Sequence, residues 1–223
     1  MHRYSVKPFE LLYYMAFGLY LFIQLLSSSL VSALIDIRIL RVSGFFIIAG
    51  LIFAKLMIDN TFRHLWIYLS LIVLLTIVGL HAANIRDLII LGMLTFGARN
   101  IKLEKIVLED VIMIGIFLVI MPFLFATGLF RNVDTSTFRG VSGRMRLSLG
   151  YGWTTYSANY YLAMVTGILF LAGRRRRMGL PLMLMFLGNI VLFMLTDTKA
   201  AFFETTILLV IYSLITACKL DLT

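Results

Sequence analysis

The chain has 223 residues, 61% of them apolar and 14% charged, with a net charge of +9. A soluble domain carries roughly 45–50% apolar and about 25% charged residues, so a chain this apolar has no core able to hide its surplus, and that class is excluded. The single cysteine, Cys218, excludes an internal disulfide and any cysteine-based metal site, and the positive charge is not a nucleic-acid footprint because it sits in short clusters between long apolar runs.

Those runs decide the fold class. In hydrocarbon every backbone N–H and C=O needs an internal partner, which leaves helices or closed barrels. The runs lack the alternation of a barrel strand, so the sequence predicts an all-α, polytopic transmembrane helical bundle of about eight spans. In chain order these are residues 9–34, 42–58, 65–80, 85–97, 106–130, 154–172, 178–195 and 200–218. The first run is too long for the core of a secretory signal, and Val31 and Ala33 resemble a cleavage site only faintly. The fourth is short and opens with Arg86 and Asp87, which also suits a partial or re-entrant helix. Pro122 is the one plausible break in the fifth. The chain reads as a single transmembrane domain, residues 1–223, and its longest loop is 131–153.

Orientation follows from Arg174, Arg175, Arg176 and Arg177, which lie in a very short loop and mark it as cytoplasmic. Propagating from there puts both termini in the cytoplasm. Arg3, Lys7, Arg63, Arg99, Lys102, Lys105 and Lys219 fall on the same side, and Lys55 is expected to snorkel from the inner end of the second span. Arg38, Arg41, Arg86, Arg131, Arg139, Arg144, Arg146 and Lys199 fall outside. Cations on the translocated side work against topology. Arg131, Arg139, Arg144 and Arg146 crowd one outer loop opposed only by Asp134, so that loop needs another reason for its charge.

The segment from Arg144 to Asn159 supplies one. Arg146 offers the planar donor set that suits phosphate, and Gly150 and Gly152 allow a tight turn or a close approach of backbone to ligand. Thr154, Thr155 and Ser157 are placed to cap the helix that follows, whose free N–H groups attract anions. Tyr151, Trp153, Tyr156, Tyr160 and Tyr161 suit a lipid interface and also stack on sugar faces. A second cluster, Thr196-Asp197-Thr198-Lys199, opens the eighth span with the same chemistry at the same face. Taken one at a time, these residues read as helix caps, an aromatic belt and headgroup contacts. Taken together, they suit an anionic ligand such as a lipid-linked pyrophosphate.

Other groups say less. His81 is either a general base or a structural interfacial histidine, and Asp36, with Arg38 beside it and no second acid nearby, does not make a metal site. Gln24 suits a helix–helix contact, and Glu109 and Asp110 suit the start of the fifth span. Glu204 is the most membrane-embedded acid and is expected to pair with Lys199 or Arg146. No nucleotide loop, nucleophile elbow or metal spacing is present in the sequence, and no cofactor is expected.

The stretch Arg146-x-Ser148-Leu149-Gly150-Tyr151 followed by Asn159 resembles the Arg-x-Ser-Leu-Gly-Phe/Tyr…Asn signature of bacterial polysaccharide polymerases, the Wzy-type enzymes, which are similar in architecture to O-antigen ligases. Thr196-Asp197-Thr198-Lys199-Ala200 resembles their second motif, Thr-x-Ser-Arg-x-Ala, with Lys199 for arginine and Thr198 for serine. The His-Pro or Pro often seen before the Asn is missing. The resemblance implies a metal-independent, inverting membrane glycosyltransferase of capsule, exopolysaccharide or O-antigen synthesis in the bacterial cytoplasmic membrane. Its substrate would be a polyprenyl-diphosphate-linked oligosaccharide. It further implies that Arg146 and Lys199 contact the pyrophosphate as catalytic groups, and that Arg139, Arg144, Ser148, Gly150, Tyr151, Asn159, Asp197 and Thr198 bind substrate. Members of the family are longer, so the chain is expected to match their N-terminal half or so, as a truncated polymerase or one half of a split enzyme working with its missing half or other assembly proteins. Competing classes are a lipid-linked sugar flippase or small-solute carrier, which would place polar groups at mid-membrane, and a noncatalytic assembly component.

This topology has a direct check. A reporter active only outside the cell, fused after Ser136, is expected to be active, and fused after Arg177 to be silent. The opposite pattern would put the arginine-rich loop in the cytoplasm.

Overall fold

The computed structural model describes residues 7–59, 70, 73–74, 77, 85–132, 146–173 and 178–217. Their ordered elements are seven α-helices: α1 (Pro8–Ser28), α2 (Ile37–Ile58), α3 (Ile85–Gly97), α4 (Leu103–Ala126), α5 (Thr154–Ala172), α6 (Gly179–Thr196) and α7 (Lys199–Ala217), with one 3-10 turn, Leu30–Ala33. The architecture is all-α. Five helices, α1, α2, α4, α6 and α7, are long and apolar enough to cross a membrane, which describes a multi-pass membrane protein. Only 17% of the apolar window of α2, α4, α6 and α7 is buried inside the protein. Side chains such as Phe46, Val119 and Met194 stand largely exposed, and apolar surface on that scale belongs against lipid.

The expectation of eight spans is therefore corrected to seven helices and five membrane-length ones among the described residues. The 65–80 span falls almost wholly outside those residues. Helix α3 has 13 residues; at about 1.5 Å per residue it falls well short of roughly 30 Å of hydrocarbon. Helix α5 is long enough, but its first two turns carry Thr154, Thr155, Ser157 and Asn159 and lower its apolarity. The first span stops at Ser28 instead of continuing to residue 34. There Ser28 Oγ donates to Leu25 O and Ser29 Oγ to Leu26 O, both at 2.8 Å. Hydroxyls bonded back onto the last carbonyls in this way compete with the helical ladder. Helix α2 starts earlier than residue 42, because the Asp36 carboxylate accepts from the Arg38 and Ile39 amides at 3.0 and 3.4 Å and caps it. Helix α4 ends at Ala126, short of residue 130, and passes through Pro122 without interruption.

The chain divides into two compact units, Met1–Gln24 with Asp36–Glu109, and Leu25–Ile35 with Asp110–Thr223. In the first, Tyr13, Ala16 and Ile23 of α1 meet Ile48 and Ile52 of α2 and Ile90 and Leu94 of α3 in one core. At one end of this core lies Lys55. It does not snorkel: it is fully buried, donating from Nζ to Asp59 Oδ2 at 2.8 Å and to Arg99 O at 2.7 Å. Asp59 also accepts from Asn100 Nδ2 at 3.0 Å, and the Phe9 ring lies 5.7 Å from the ammonium. Lys105 meets Glu10 at 2.8 Å. Polar termini of α1, α2, α3 and α4 thus gather at one end of the unit.

In the second unit α5, α6 and α7 pack pairwise around Val165, Leu169, Met178, Met185 and Leu209. Gly188 lets α6 approach α5, since a Cβ there would stand 2.5 Å from Tyr161 Oη, and Tyr161 donates to Met185 O at 2.6 Å. Asn189 is buried, and its Nδ2 donates to Phe202 O and Thr206 Oγ1 of α7, each at 3.0 Å. Polar cross-links of this kind hold helices together where apolar packing alone discriminates poorly.

Replacing Lys55 by Met leaves Asp59 largely buried without its cation, a loss of about 3–5 kcal/mol. Lys55→Met is expected to lower the unfolding temperature of the detergent-solubilised protein sharply, and adding Asp59→Asn to restore much of it. A surface-like, neutral response to Lys55→Met would mean that the buried pair holds nothing.

Candidate functional site

Between α4 and α5 the described chain resumes at Arg146 as an extended segment, and it is fastened on three sides. The Leu147 amide donates to Leu195 O at the end of α6, at 2.9 Å. Leu30 N–H donates to Gly150 O and Gly152 N–H to Ser28 O, each at 2.8 Å, and Ser29 and Tyr151 form an antiparallel bridge. Asn132, just past α4, works both ways: its Nδ2 donates to Arg146 O at 2.7 Å, and its Oδ1 accepts from the Ser148 amide at 2.8 Å. Leu149 and Gly150 both turn through positive φ, 52° and 82°. Glycine is required at the second, because a Cβ there would stand 2.6 Å from the Met121 carbonyl oxygen of α4.

This fastening places Arg146 beside Asp197. Nη2 of Arg146 donates to Asp197 Oδ2 at 2.5 Å, and the two side chains are only 22% and 16% exposed. Asp197 closes α6 in the left-handed conformation, φ 50°, and Lys199 opens α7 two residues later, exposed. Two short stretches chosen on sequence grounds therefore meet through a charge-assisted hydrogen bond. Thr198 is nearly buried, with its hydroxyl 3.5 Å from Thr196 O.

Below the ion pair the segment turns inward. Ser148, Gly150 and Tyr151 are buried, Ser148 and Tyr151 completely. Ser148 Oγ and Tyr151 Oη, like Thr205 Oγ1 of α7, are buried without a hydrogen-bond partner among the described residues. Such an atom forfeits its water without replacement, a penalty of about 1–3 kcal/mol. Burial, and then the neighbouring Tyr160, push the Tyr151 phenol above its usual pKa, so it remains a protonated donor. Its ring lies 5.7 Å from that of Tyr160, which is 6.3 Å from Tyr156, and Tyr160 donates to Ser28 Oγ at 2.8 Å.

Two expected roles change, the capping of α5 and the pairing of Glu204. Trp153 precedes α5 at its N-cap and supplies no side-chain cap, and Ser157 donates to Thr154 O instead of capping. Glu204 is exposed and forms no ion pair with Arg146 or Lys199. Asn159 is exposed on α5, a full turn beyond its start. Arg139, Arg144 and His81 lie outside the described residues. Asn132 and the Ser28–Leu30 stretch, which hold the segment, carry no motif. Their one sequence signal was the run Ser27-Ser28-Ser29 at the end of an apolar helix. No family model, curated protein or solved structure matches the chain.

Gly150→Ala joins backbone strain to a collision with the Met121 carbonyl. The strain alone is worth about 1–3 kcal/mol, so Gly128→Ala, where φ is also positive but a Cβ meets open space, is expected to lose about that much thermal stability, and Gly150→Ala clearly more. Equal effects at both positions would leave strain alone as the cause and remove the close approach to α4 from the account.

Proposed function

We propose that the chain polymerises polyprenyl-diphosphate-linked oligosaccharide repeat units at the outer face of a bacterial cytoplasmic membrane, alone or with a further subunit. The observation that carries this reading is the Arg146–Asp197 ion pair, which brings together the two motifs resembling those of polysaccharide polymerases. A guanidinium has five N–H donors. Asp197 engages Nη2 and sets the plane of the group, and the remaining donors are available to a diphosphate. Lys199, exposed at the start of α7, adds a second positive charge near the same corner.

In this reaction an acceptor hydroxyl attacks the anomeric carbon, and the bond from that carbon to the diphosphate oxygen breaks with inversion. The bonding electrons leave on the diphosphate, and the proton given up by the hydroxyl passes through water to the departing diphosphate. Arg146 and Lys199 stabilise the developing negative charge, which is where fixed donors lower a barrier most. Ser148 and Tyr151, whose hydroxyls are buried without partners, supply neutral donors beneath the charged pair, and the tyrosines around Tyr160 suit a sugar face. A carrier is favoured less. Its expected mid-membrane polar group is at hand in Asn189, but that side chain is committed to Phe202 and Thr206.

Polymer length on gels, with membrane levels checked, tests the proposal. Arg146→Ala is expected to abolish long chains, a loss of about 2–5 kcal/mol or roughly 30-fold to several thousandfold. Arg146→Lys is expected to be poor, because a point charge cannot make the two-pronged contact, and Lys199→Arg to be tolerated. Exchanging the pair, Arg146→Asp with Asp197→Arg, separates packing from binding: it should keep thermal stability and still make no polymer. Normal ladders from Arg146→Ala would reduce the residue to a structural tie and favour a noncatalytic assembly component.

A further inference from the structure

In the first unit, a cavity of about 390 Å³ opens where α1, α2 and α3 diverge, at the opposite end from Lys55. Its composition is divided. Arg38 and Arg41 of α2 and Arg86 of α3 line it and are exposed. Its apolar wall includes Ile23, Ile48 and Ile90, which belong to the buried core of the unit, together with Phe45. One acid, Asp87, and the neutral Gln24 complete the polar lining that matters here. Among the described residues neither Arg38 nor Arg86 forms an ion pair, and the nearby Asp36 carboxylate is occupied by the amides of Arg38 and Ile39.

Three guanidinium groups against the single carboxylate of Asp87 leave the lining with a net positive charge, which favours an anion there. Positive residues on the translocated side of a membrane protein also oppose its insertion, so their grouping asks for a compensating partner. The apolar wall indicates what kind. Ile23, Ile48 and Ile90 are already buried, but the helices that line the cavity carry exposed apolar side chains beside it, Val42 and Phe46 of α2 and Leu91 of α3, which an amphiphile covers with its chain while its head meets the arginines.

We infer that this cavity binds the phosphate head of an anionic membrane amphiphile, with Arg38, Arg41 and Arg86 contacting the phosphate and the first part of an apolar chain lying along Phe45 and the exposed Val42 and Phe46 of α2. The site lies wholly within the first unit and shares no residue with the Arg146 site, so it stands whether or not the chain is a polymerase. The same chemistry comes from two sources, a glycerophospholipid and a polyprenyl diphosphate.

Native mass spectrometry of the full chain in detergent, with added lipid, tests the site. The wild-type protein is expected to retain phosphatidylglycerol or a polyprenyl diphosphate well above phosphatidylcholine, whose head carries no net charge. Whichever anionic lipid is retained more strongly identifies the source. Combining Arg38→Gln, Arg41→Gln and Arg86→Gln is expected to weaken that retention on the order of 100-fold. The corresponding triple Lys variant should bind at an intermediate level, and Lys102→Gln, at the other end of the unit, should bind as wild type. Thermal unfolding without lipid separates lost binding from lost fold, because these exposed side chains anchor no core. Equal retention of phosphatidylcholine, or undiminished binding by a folded Gln variant, would overturn the inference. So would displacement of the lipid by millimolar inorganic phosphate, because the apolar chain would then contribute nothing.

Discussion

Residues 148–151 are buried outside any helix, with Leu147 and Gly152 half-buried on either side, so their backbone groups find partners in protein rather than in water. Everything distinctive about the second unit follows from how they do so. Leu195 at the end of α6, Ser28 at the end of α1 with Leu30 beyond it, and the Asn132 side chain each take one piece of the segment. Because these partners sit on separate helices, the segment can be satisfied only when those helix ends lie together. It then fixes Arg146 against Asp197 and turns Ser148 and Tyr151 into the interior. In a membrane protein, irregular backbone is tolerated where it is buried in protein or lines a cavity, and this segment meets that condition.

The fold class was legible because hydrocarbon leaves few alternatives: long apolar runs had to be helices. Helix positions were also legible wherever charge or a cap bounded the run, and α3 and α5 have the ends that the sequence indicates. The failures share a cause. Ser28 and Ser29 stop α1 through hydrogen bonds to carbonyls within the same apolar run, so hydrophobicity alone does not reveal the boundary. Lys55 looked like a snorkelling end residue because its partners, Asp59 and the Arg99 carbonyl, come from another turn and another helix. A lysine with an acid four residues on is a signal for such a pair, but it is ambiguous until the neighbouring helix is known.

At the candidate site the same division holds. The residue types around Arg146 and Asp197 suited an anionic ligand, and the two stretches do meet. Their pairing with each other was not legible, since Asp197 reads as readily as the cap of the following helix. It instead closes the preceding one in a left-handed conformation, which aims its carboxylate back toward the segment. Asn132 escaped notice because one asparagine after an apolar run is among the commonest of turn signals.

The same ion pair has a consequence for the order in which the protein is made. Arg146 and Asp197 are 51 residues apart in the chain. At about 5–20 residues per second of synthesis, Arg146 waits roughly 3–10 s for its partner, while α5 and α6 are still being delivered to the membrane. During that interval the Leu147 amide also lacks its acceptor, because Leu195 has not yet emerged. The Ser28 and Leu30 partners, by contrast, are in place from early in synthesis. The segment is thus moored first to the end of α1 and only later to the end of α6, and the arginine finds its aspartate as the hairpin of α6 and α7 enters the bilayer.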